Sequence, residues 1–531
     1  MYIITKGVQI MKNITSSVYD FENLIQGNFL YVDKTEYIWQ LIRPAQEMYF
    51  LSRPRRFGKS LTVSTFKAVF EGKKELFKGL AIYDKPYDWK PYPVIHLSFG
   101  DYNPINNTAE RLDIYLTDKI KTAAKDFNIE IPQTQDASSA FGKLVDMLSK
   151  ESQVVILIDE YDKPILDNIS SPDISDIQRC LKGFYSVLKD RNAKERFVFI
   201  TGVSKFSHVS LFSDLNNLTD ITMDAKYATM FGYTQYELEM NFGDRIAALA
   251  HDKDIEAYKI KIKEWYNGYR FEENAKTVYN PVSLAKFFEN EGKFNNYWFS
   301  TGTPTFLLQL TKQKDFNFQA ALQNAVPQVA FSAFEIDNID PLSLLLQTGY
   351  LTIKDTEERF DQTWYYLDFP NREVAGAFSA YILNSYAGKT QTVSVQFAAE
   401  IATSLLNGDL KKLRKVMEVF FAGIPYGVHK KNEATFQAIF FSMFRLIGQY
   451  IEAESTTNDG RIDAVVQTAE SVYLFEFKLD NDPTALEQIK AKEYFKKYLL
   501  DKRNIFIIGV NFDTVKGNLI GWKEEKIENS L

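Results

Sequence analysis

A lysine followed by a serine stands where a short apolar run meets a helical pattern. The apolar run is 48–51, the junction reads Gly58-Lys59-Ser60, and the helical pattern continues to residue 70. Backbone N–H groups at a helix start face bound phosphate, a lysine can reach β- and γ-phosphates, and a serine hydroxyl can ligate Mg²⁺. The segment therefore predicts a binding loop for ATP and Mg²⁺ made of Arg56, Phe57, Gly58, Lys59, Ser60 and Leu61.

The loop departs from the usual glycine-rich pattern at its first position. Arg53 stands six residues before Lys59, where glycine is typical, and Pro54, Arg55 and Arg56 follow it. A loop without this glycine has less backbone freedom. Its arginines could contact phosphate or have no role in binding. For the whole segment, the alternative is a basic turn that matches the motif by chance.

Two acids follow the five apolar residues 154–158. Ligands bind at the carboxyl ends of strands in open α/β sheets. Asp159 is therefore predicted to hold Mg²⁺, directly or through water, and Glu160 to orient or deprotonate the attacking water. The alternative is a strand that simply ends in a polar loop.

Thr201 ends another apolar run and is a candidate sensor of the γ-phosphate, or equally a residue that caps a turn. The candidates for an arginine finger are Arg191, Arg196 and Arg270.

A second set of charged residues lies in two strand-like segments, 460–466 and 472–478. The period of two places Glu476 and Lys478 on one face of a strand, and Asp463 on the neighbouring strand can approach that face. Asp463 and Glu476 are the predicted metal ligands, for Mg²⁺ or Mn²⁺, and Lys478 would position a water or stabilise charge during phosphodiester attack. The alternative is a hairpin with solvent-facing charges.

Two further features surround these carboxylates. Glu433 begins the preceding helical pattern and could add another catalytic carboxylate. The helical pattern after the second strand carries Gln488 and then four lysines, which give local positive charge suited to phosphate contact: Lys490, Lys492, Lys496 and Lys497.

Patterns of apolar residues predict the elements that must position these groups. Over 1–230, short apolar runs alternate with amphipathic stretches, which predicts an α/β fold with a buried parallel sheet. The segment 235–340 is mainly helical, and 347–354 with 363–369 predict a hairpin, either a wing or a packing ribbon. The last part predicts an αββαβ order: helix 432–448, strands 461–467 and 472–478, helix 484–500 and strand 504–510. We expect three domains, at 11–235, 236–400 and 410–531.

Composition excludes several classes of protein. The chain has 531 residues, 15% of them aromatic, and a net charge of −7. These values exclude global disorder and a generally basic nucleic-acid coat, but not a local basic groove. The single cysteine excludes a disulfide framework and a Cys-based zinc site within one chain. The four histidines are scattered and show no metal-ligand spacing. No apolar run is long enough to form a transmembrane helix, so we expect a cytoplasmic protein without a membrane span, starting at Met1 or Met11.

Several segments together resemble the predicted AAA-ATPase-like family of bacteria. They are 29–35, 52–61, 92–95, 157–164, 201–206, 265–271, 279–283, 297–302, 348–351 and 369–371. An arginine-rich loop is the pattern of that family, so the missing glycine does not indicate a dead site. The resemblance covers most of 11–380. It implies a P-loop ATPase core followed by a helical or winged-helix module, and no particular physiological role.

Residues 410–515 resemble the PD-(D/E)XK nuclease superfamily, and more narrowly the nuclease-like domain often found behind this ATPase-like family. Asp463 matches the family aspartate, although Ile462 replaces the proline before it. Glu476 and Lys478 match Glu-x-Lys, and Glu433 matches the helical acid. The resemblance implies a restriction-endonuclease-like fold.

The leading hypothesis is an ATP- and Mg²⁺-dependent enzyme that acts on DNA or RNA. The alternative is a signalling or scaffold ATPase whose C-terminal fold only binds nucleic acid or protein. A third interpretation is that both sites are inactive remnants in an interaction protein. The joint presence of all six charged site residues argues against it: Lys59, Asp159, Glu160, Asp463, Glu476 and Lys478. No membrane partner is expected, and a homo-oligomer is left open.

Overall fold

The computed structural model describes residues 11–103, 107–132, 136–169, 171–205, 211–250, 254–298, 310–312, 316–331, 339–424, 433–448, 452–454, 463–480, 484–500, 502–513 and 518–528. The chain divides into two compact units. The first unit is Met1–Ser300 with Pro327–Tyr365, and the second is Thr301–Val326 with Tyr366–Leu531. The expected boundaries at 235 and 400 each fall inside one unit, so the three-domain division stays a prediction.

Strands and helices alternate along the first part of the chain. The strands are β1 (Glu47–Ser52), β2 (Val94–Ser98), β3 (Val154–Asp159), β4 (Glu195–Gly202) and β5 (Leu218–Asp220). The helices are α1 (Phe21–Gln26), α2 (Thr35–Ile42), α3 (Lys59–Phe70), α4 (Ala109–Lys125), α5 (Ala137–Leu148), α6 (Lys163–Leu166), α7 (Ile174–Ser186), α8 (Gln235–Ala250), α9 (Ile255–Tyr266) and α10 (Pro281–Glu289).

The five strands form a parallel sheet in the order β2-β3-β4-β1-β5. Every residue of β3 and β4 is buried, as expected for strands covered on both faces. The predicted buried parallel sheet is confirmed. Because β4 lies between β1 and β3, the loop after β1 and the acids after β3 face each other across the end of β4.

The middle of the chain holds short helices and a hairpin. Its elements are α11 (Phe318–Gln323), β6 (Val326–Pro327), α12 (Pro341–Gln347), β7 (Thr352–Arg359) and β8 (Gln362–Asp368). The predicted hairpin is confirmed, but its first strand begins at residue 352 and not at 347. Residue 347 instead ends α12, which starts with Asp340 as N-cap and proline at its first position.

The hairpin turn has unusual chemistry for a wing that would contact nucleic acid. Phe360 and Asp361 both have left-handed backbones, with φ of 53° and 57°, and Phe360 is 92% exposed. The two strands carry four further acids and two basic residues, so the hairpin is acidic overall: Asp355, Glu357, Glu358 and Asp368 against Lys354 and Arg359. Acidic side chains repel phosphate, so this hairpin is not suited to phosphate contact.

The second unit contains mostly helices followed by a mixed sheet. The helices are α13 (Arg372–Ala387), α14 (Gln391–Leu406), α15 (Leu410–Ala422), α16 (Glu433–Ile447) and α17 (Ala485–Ala491). The strands are β9 (Glu452–Glu454), β10 (Ala464–Gln467), β11 (Ser471–Leu479), β12 (Asn504–Asp513) and β13 (Asn518–Ile527), in the sheet order β13-β12-β11-β10-β9. β11 and β12 are parallel, and the other pairs are antiparallel.

The predicted αββαβ order is confirmed, with two strands that the sequence did not predict, β9 and β13. The helix expected over 484–500 is wrong in length. It ends at Ala491, and Glu493 has a left-handed backbone with φ of 53° that breaks the helix before a short 3₁₀ turn at Lys496–Tyr498. In the part of the chain that the structure describes, no helix is long and apolar enough to cross a membrane.

The edge of the parallel sheet where the strands begin holds a buried carboxylate. Glu195, the first residue of β4, is 2% exposed, and neither carboxylate oxygen has a hydrogen-bond partner among the described residues. Burial raises the pKa of Glu195 to about 8, although nearby Arg191 opposes this shift. The folded protein therefore favours the protonated carboxyl up to that pH.

The stability of the protein should fall as pH rises from about 4.5 to about 8, because over this range folded Glu195 keeps a proton that the unfolded chain releases. Glu195→Gln should make this slope shallower without removing it, because Glu476 also has a raised pKa, and it should raise the unfolding free energy at pH 8 by about 1 to 3 kcal/mol. Urea unfolding of the parent and the variant between pH 5 and 8.5 measures it. Exposed Glu151→Gln is the control, and parallel pH profiles for parent and Glu195→Gln would contradict the assignment.

Candidate functional site

The predicted phosphate loop joins β1 to the first turn of α3. Gly58 is the N-cap of α3 and has a left-handed backbone with φ of 90°, which glycine adopts without cost. Arg56 is also left-handed, with φ of 68°, and such a backbone costs an L-residue about 1–2 kcal/mol. The turn aims the free N–H groups of α3 at the carboxyl edge of the sheet, where an anion can bind them.

Lys59 lies inside this loop. It is 7% exposed, and Nζ donates to the carbonyl oxygens of Arg53 at 2.9 Å and Pro54 at 3.0 Å. Burial lowers the pKa of Lys59, while Asp159 and Glu160 act to raise it. The ammonium group thus holds the loop closed on itself, at the position where the sequence predicted phosphate oxygens.

Ser60 and Asp159 meet, as the sequence predicted for a shared metal site. Burial raises the pKa of Asp159, and the interaction of its carboxylate with the Ser60 side chain opposes this rise. Oδ1 of Asp159 is buried and has no hydrogen-bond partner among the described residues. A hydroxyl and a carboxylate oxygen are hard ligands, so these residues fit Mg²⁺.

Glu160 is held at the same edge by an unusual backbone. Its φ is 57°, and Oε2 lies against Gly100, where an added Cβ would be 3.2 Å away. The glycine thus makes room for the carboxylate that the sequence assigns as general base. Thr201, by contrast, donates its hydroxyl to the carbonyl oxygen of Leu51 at 2.8 Å, tying β4 to β1. That contact links two strands and does not cap a turn, and the sensor role stays a prediction.

Arg53 does not reach toward phosphate. It is 1% exposed and donates to the carbonyl oxygens of Ser52 and Thr222 at 2.9 and 2.6 Å. Its guanidinium lies over the ring of Phe271 at 4.4 Å, and burial lowers its pKa to about 9. This arginine is therefore a structural anchor. Arg55 is exposed and the Arg56 guanidinium donates to the carbonyl oxygen of Tyr297, so phosphate contact by either arginine stays a prediction.

Hydrogen bonds within this chain engage all three candidate arginine fingers. Arg191 donates to both carboxylate oxygens of Asp146 at 3.0 Å. Arg196 is buried and donates to the carbonyl oxygens of Ile42 and Pro44. Arg270 donates to the carbonyl oxygen of Lys354 at 3.2 Å. All three thus have partners within the chain, and the assignment of an arginine finger stays open.

Sequence reasoning missed Asp162, which completes the carboxyl edge. It is 1% exposed and accepts hydrogen bonds from the backbone N–H groups of Val203 and Ser204 and from the Ser204 hydroxyl. An added Cβ at Gly202 would lie 2.5 Å from its Oδ1, so only glycine fits at that position. Asp162 thus joins two segments that the sequence showed only as family patterns, through its contacts with residues 202–204.

A cavity of about 140 Å³ lies beside the first turns of α3. It opens next to Gly58, and its walls come from the segment before α1, from the first turns of α3 and from α10. The lining includes Tyr19, Leu61, Thr62, Phe231, Val282 and Ala285. The sequence had not indicated this cavity, because its walls come from segments that lie far apart along the chain.

The second charged site lies where β10 and β11 pair. Glu476 is 2% exposed, and its Oε1 accepts a hydrogen bond from Lys478 Nζ at 3.1 Å, so the predicted common face is confirmed. Asp463 also reaches this strand, and its Oδ2 accepts from the backbone N–H of Phe477 at 2.7 Å. Burial and the nearby Asp463 raise the pKa of Glu476 to about 7.

The metal ligands predicted for this site are therefore neighbours. Oε2 of Glu476 is buried without a hydrogen-bond partner among the described residues, and the repulsion between the two acids favours a shared cation. Two carboxylates fit Mg²⁺ or Mn²⁺. Glu433 begins α16, but its side chain lies outside the described residues, so its catalytic role stays a prediction.

Gln488 on α17 also contacts the site. Its side-chain amide donates to Oε1 of Glu476 and interacts with the hydroxyl of Tyr494. The nearby lysines are less available than the sequence suggested. Lys490 pairs with Glu525 at 2.5 Å and Lys496 with Glu493 at 2.6 Å, which leaves Lys492 and Lys497 as stronger candidates for phosphate contact.

Comparison with known proteins gives three matches. A family model described as predicted AAA-ATPase matches residues 16–212. A model of the PD-(D/E)XK nuclease superfamily matches residues 431–522. The chain is also similar to a protein of Azotobacter chroococcum mcd 1 described as "Uncharacterized protein in vnfD 5'region", with 36% identity over 529 residues. That alignment covers 97% of this chain and 99% of the relative.

The two matched regions contain the two charged sites. The first includes the phosphate loop with Asp159, Glu160 and Thr201, and the second includes Glu433, Asp463, Glu476 and Lys478. The alignment with the relative spans both regions. The chain belongs to the predicted AAA-ATPase family and carries a nuclease-like domain of the PD-(D/E)XK superfamily.

Proposed function

We propose that the protein hydrolyses ATP at the phosphate loop and uses ATP turnover to control Mg²⁺-dependent cleavage of nucleic acid by the C-terminal site. One observation carries the proposal: each site holds a buried carboxylate oxygen without a partner among the described residues, Asp159 Oδ1 or Glu476 Oε2, near a lysine of the same site. Such an arrangement favours binding of a cation and of phosphate oxygens. The single cysteine supports the reducing cytoplasm as the compartment.

At the loop, Lys59 would exchange its two carbonyl oxygens for phosphate oxygens of ATP. Ser60 and Asp159 would hold Mg²⁺, which neutralises charge on the phosphates when bound. Glu160 would take a proton from the attacking water. The water oxygen forms a bond to the γ-phosphorus, the bond from that phosphorus to the bridging oxygen breaks, and ADP and inorganic phosphate leave.

The cavity beside α3 would receive the base of the nucleotide. Its position next to Gly58 places it within reach of a molecule whose phosphates lie on the loop, and apolar side chains form much of its lining. Apolar walls suit a flat heterocycle, which buries its faces and is held by few polar contacts. This cavity therefore supports a nucleoside triphosphate over a simple phosphate as the ligand.

At the C-terminal site, Asp463 and Glu476 would hold the metal ion, which activates a water for attack when bound. Lys478 would stabilise charge on the phosphate as the water oxygen bonds to phosphorus and an ester oxygen leaves. The charge distribution supports this unit as the nucleic-acid-binding part. It has 22 basic and 22 acidic residues, so the whole net charge of −7 belongs to the first unit.

A second candidate function is a signalling or scaffold ATPase whose C-terminal domain only binds nucleic acid or protein. The pairing of Lys490 and Lys496 with glutamates favours it, because paired lysines attract phosphate less strongly. In that case metal-dependent cleavage would be absent, while ATP hydrolysis would remain.

Lys59→Ala should reduce the rate of ATP hydrolysis at least about a hundredfold, because it removes the charge that contacts the β- and γ-phosphates. Phosphate release measured with saturating ATP and Mg²⁺ tests this. Lys67→Ala, on the same helix but partly exposed to solvent, should retain the parent rate. If the Lys59 variant hydrolyses ATP at the parent rate, the loop is not the site of hydrolysis.

Ala285→Phe should fill the cavity and weaken ATP binding about tenfold or more, because the base then loses its pocket. Inorganic tripolyphosphate, which has no base, should bind parent and variant alike. Calorimetric titration with both ligands measures the difference, with exposed Ala247→Phe on α8 as the control. If both ligands are weakened equally, the cavity is not the base site.

Lys478→Ala should abolish cleavage of nucleic acid and leave ATP hydrolysis intact, because only the C-terminal site loses an ammonium group that stabilises charge on the phosphate. Single- and double-stranded DNA and RNA are incubated with Mg²⁺ or Mn²⁺, with and without ATP, and products are separated on gels. Lys526→Ala on β13 is the control. Cleavage that persists in the Lys478 variant belongs to another site, and no cleavage by the parent favours the scaffold ATPase.

A further inference from the structure

The phosphate loop is contacted from outside the α/β core along most of its length. The guanidinium of Arg53 lies over Phe271, and the Arg55 carbonyl oxygen accepts a hydrogen bond from Trp298 Nε1 at 3.3 Å. The Arg56 guanidinium donates to the carbonyl oxygen of Tyr297. These partners follow the loop at a long distance in sequence, and all lie beyond the region matched by the ATPase family model.

Phe57 is held in the same way. It is 2% exposed and packs edge-on against Tyr269 and Phe271, with ring centroids 4.8 and 5.2 Å away. Trp298 in turn packs against Tyr350 at 5.0 Å. Aromatic pairs of this geometry stabilise a contact beyond the area that they bury.

Pro54 makes the closest of these approaches. It lies against Gly349, where an added Cβ would be 2.6 Å from the Cβ of Pro54 and 2.7 Å from its Cγ. Real Cβ atoms do not approach other carbons this closely, so any side chain at position 349 must push the loop aside. Gly349 follows α12 and precedes β7, so the hairpin strand is tied to the loop.

The composition of the loop explains why it needs outside support. A glycine-rich loop can adopt the required turns by itself, whereas this loop carries proline and arginines and includes the left-handed Arg56. Contacts with surrounding residues must therefore hold the backbone of the loop in this conformation. We call residues 269–271, 297–298 and 349–350 the loop clamp.

We propose that the loop clamp positions the phosphate loop, so that segments outside the α/β core determine the affinity for the β- and γ-phosphates. The inference rests on the proposed nucleotide binding and goes beyond it. Gly349, Phe271 and Trp298 are positioning residues, because they act through the loop and not on the ligand. The position of the hairpin and the occupancy of the loop are then thermodynamically linked.

The decisive variant is Gly349→Ala, compared with Gly79→Ala. Both glycines have nearly the same left-handed backbone, with φ of 85° and 84°, so alanine causes similar backbone strain at either site. An added Cβ at Gly79 meets nothing within 4 Å, whereas at Gly349 it meets Pro54. The added Cβ at Gly349 also meets Cε1 of Tyr269, at 3.4 Å, so a difference between the variants reports mainly the much closer contact with Pro54.

The full-length protein is titrated with ADP and with AMP. Gly349→Ala should weaken ADP binding about tenfold, or about 1.4 kcal/mol, and leave AMP binding near that of Gly79→Ala. General loss of folding would weaken both ligands, so the ratio of the two affinities separates positioning from destabilisation. Equal ADP affinities in the two variants would overturn the inference.

A double-mutant cycle and a ligand-free measurement complete the test. Pro54→Gly removes both crowded carbons, so Gly349→Ala should cost little ADP affinity in that background. Faster amide hydrogen exchange at residues 55–60 is expected in Gly349→Ala but not in Gly79→Ala. If the parent binds neither ADP nor ATP, the proposed function fails; unchanged exchange in Gly349→Ala overturns the clamp itself.

Discussion

A guanidinium group shielded from water holds the phosphate loop in place. Removing Arg53 from water is costly, and burial lowers its pKa to about 9. The cost is offset by hydrogen bonds to backbone carbonyl oxygens and by the ring of Phe271. The carbonyl oxygen of the same residue accepts a hydrogen bond from the ammonium of Lys59. The position of the lysine at the nucleotide site thus depends on the anchor that precedes it.

The two charged sites use the same electrostatic arrangement on unrelated sheets. In each, a strand carries a carboxylate into a buried position, where one oxygen has no hydrogen-bond partner among the described residues. Burial raises the pKa of both Asp159 and Glu476, and a nearby lysine limits that rise. Such a group gains most from a cation, since binding relieves the unfavourable burial of its charge.

Charge is divided unequally between the two units. The first unit carries the whole net negative charge, and its hairpin turn is acidic, so this unit is suited to a small anion inside a loop and not to a long polyanion on its surface. The second unit is neutral, and Lys492 and Lys497 follow Gln488, which contacts Glu476, along the chain. Under the proposed function, a nucleic acid would contact mainly the second unit, and the first unit would respond to nucleotide.

Sequence by itself determined the fold classes and indicated which charged residues lie together, because both depend on local patterns; the roles of those residues stay predictions. Apolar runs identified β1, β3 and β4, and the period of two placed Glu476 and Lys478 on one face. The helix over 484–500 was too long because a single left-handed residue, Glu493, interrupts it, and a one-dimensional pattern does not contain φ.

Only the tertiary structure decided which partners surround these residues. The sequence left open whether Arg53 contacts phosphate, and the structure makes it an anchor because Thr222 and Phe271 fold against it. The cavity beside α3 and the contact of Pro54 with Gly349 join segments that are distant along the chain. Local residue types can indicate what chemistry is possible. Burial and long-range contact, which determine pKa values and backbone freedom, arise only when the chain is folded.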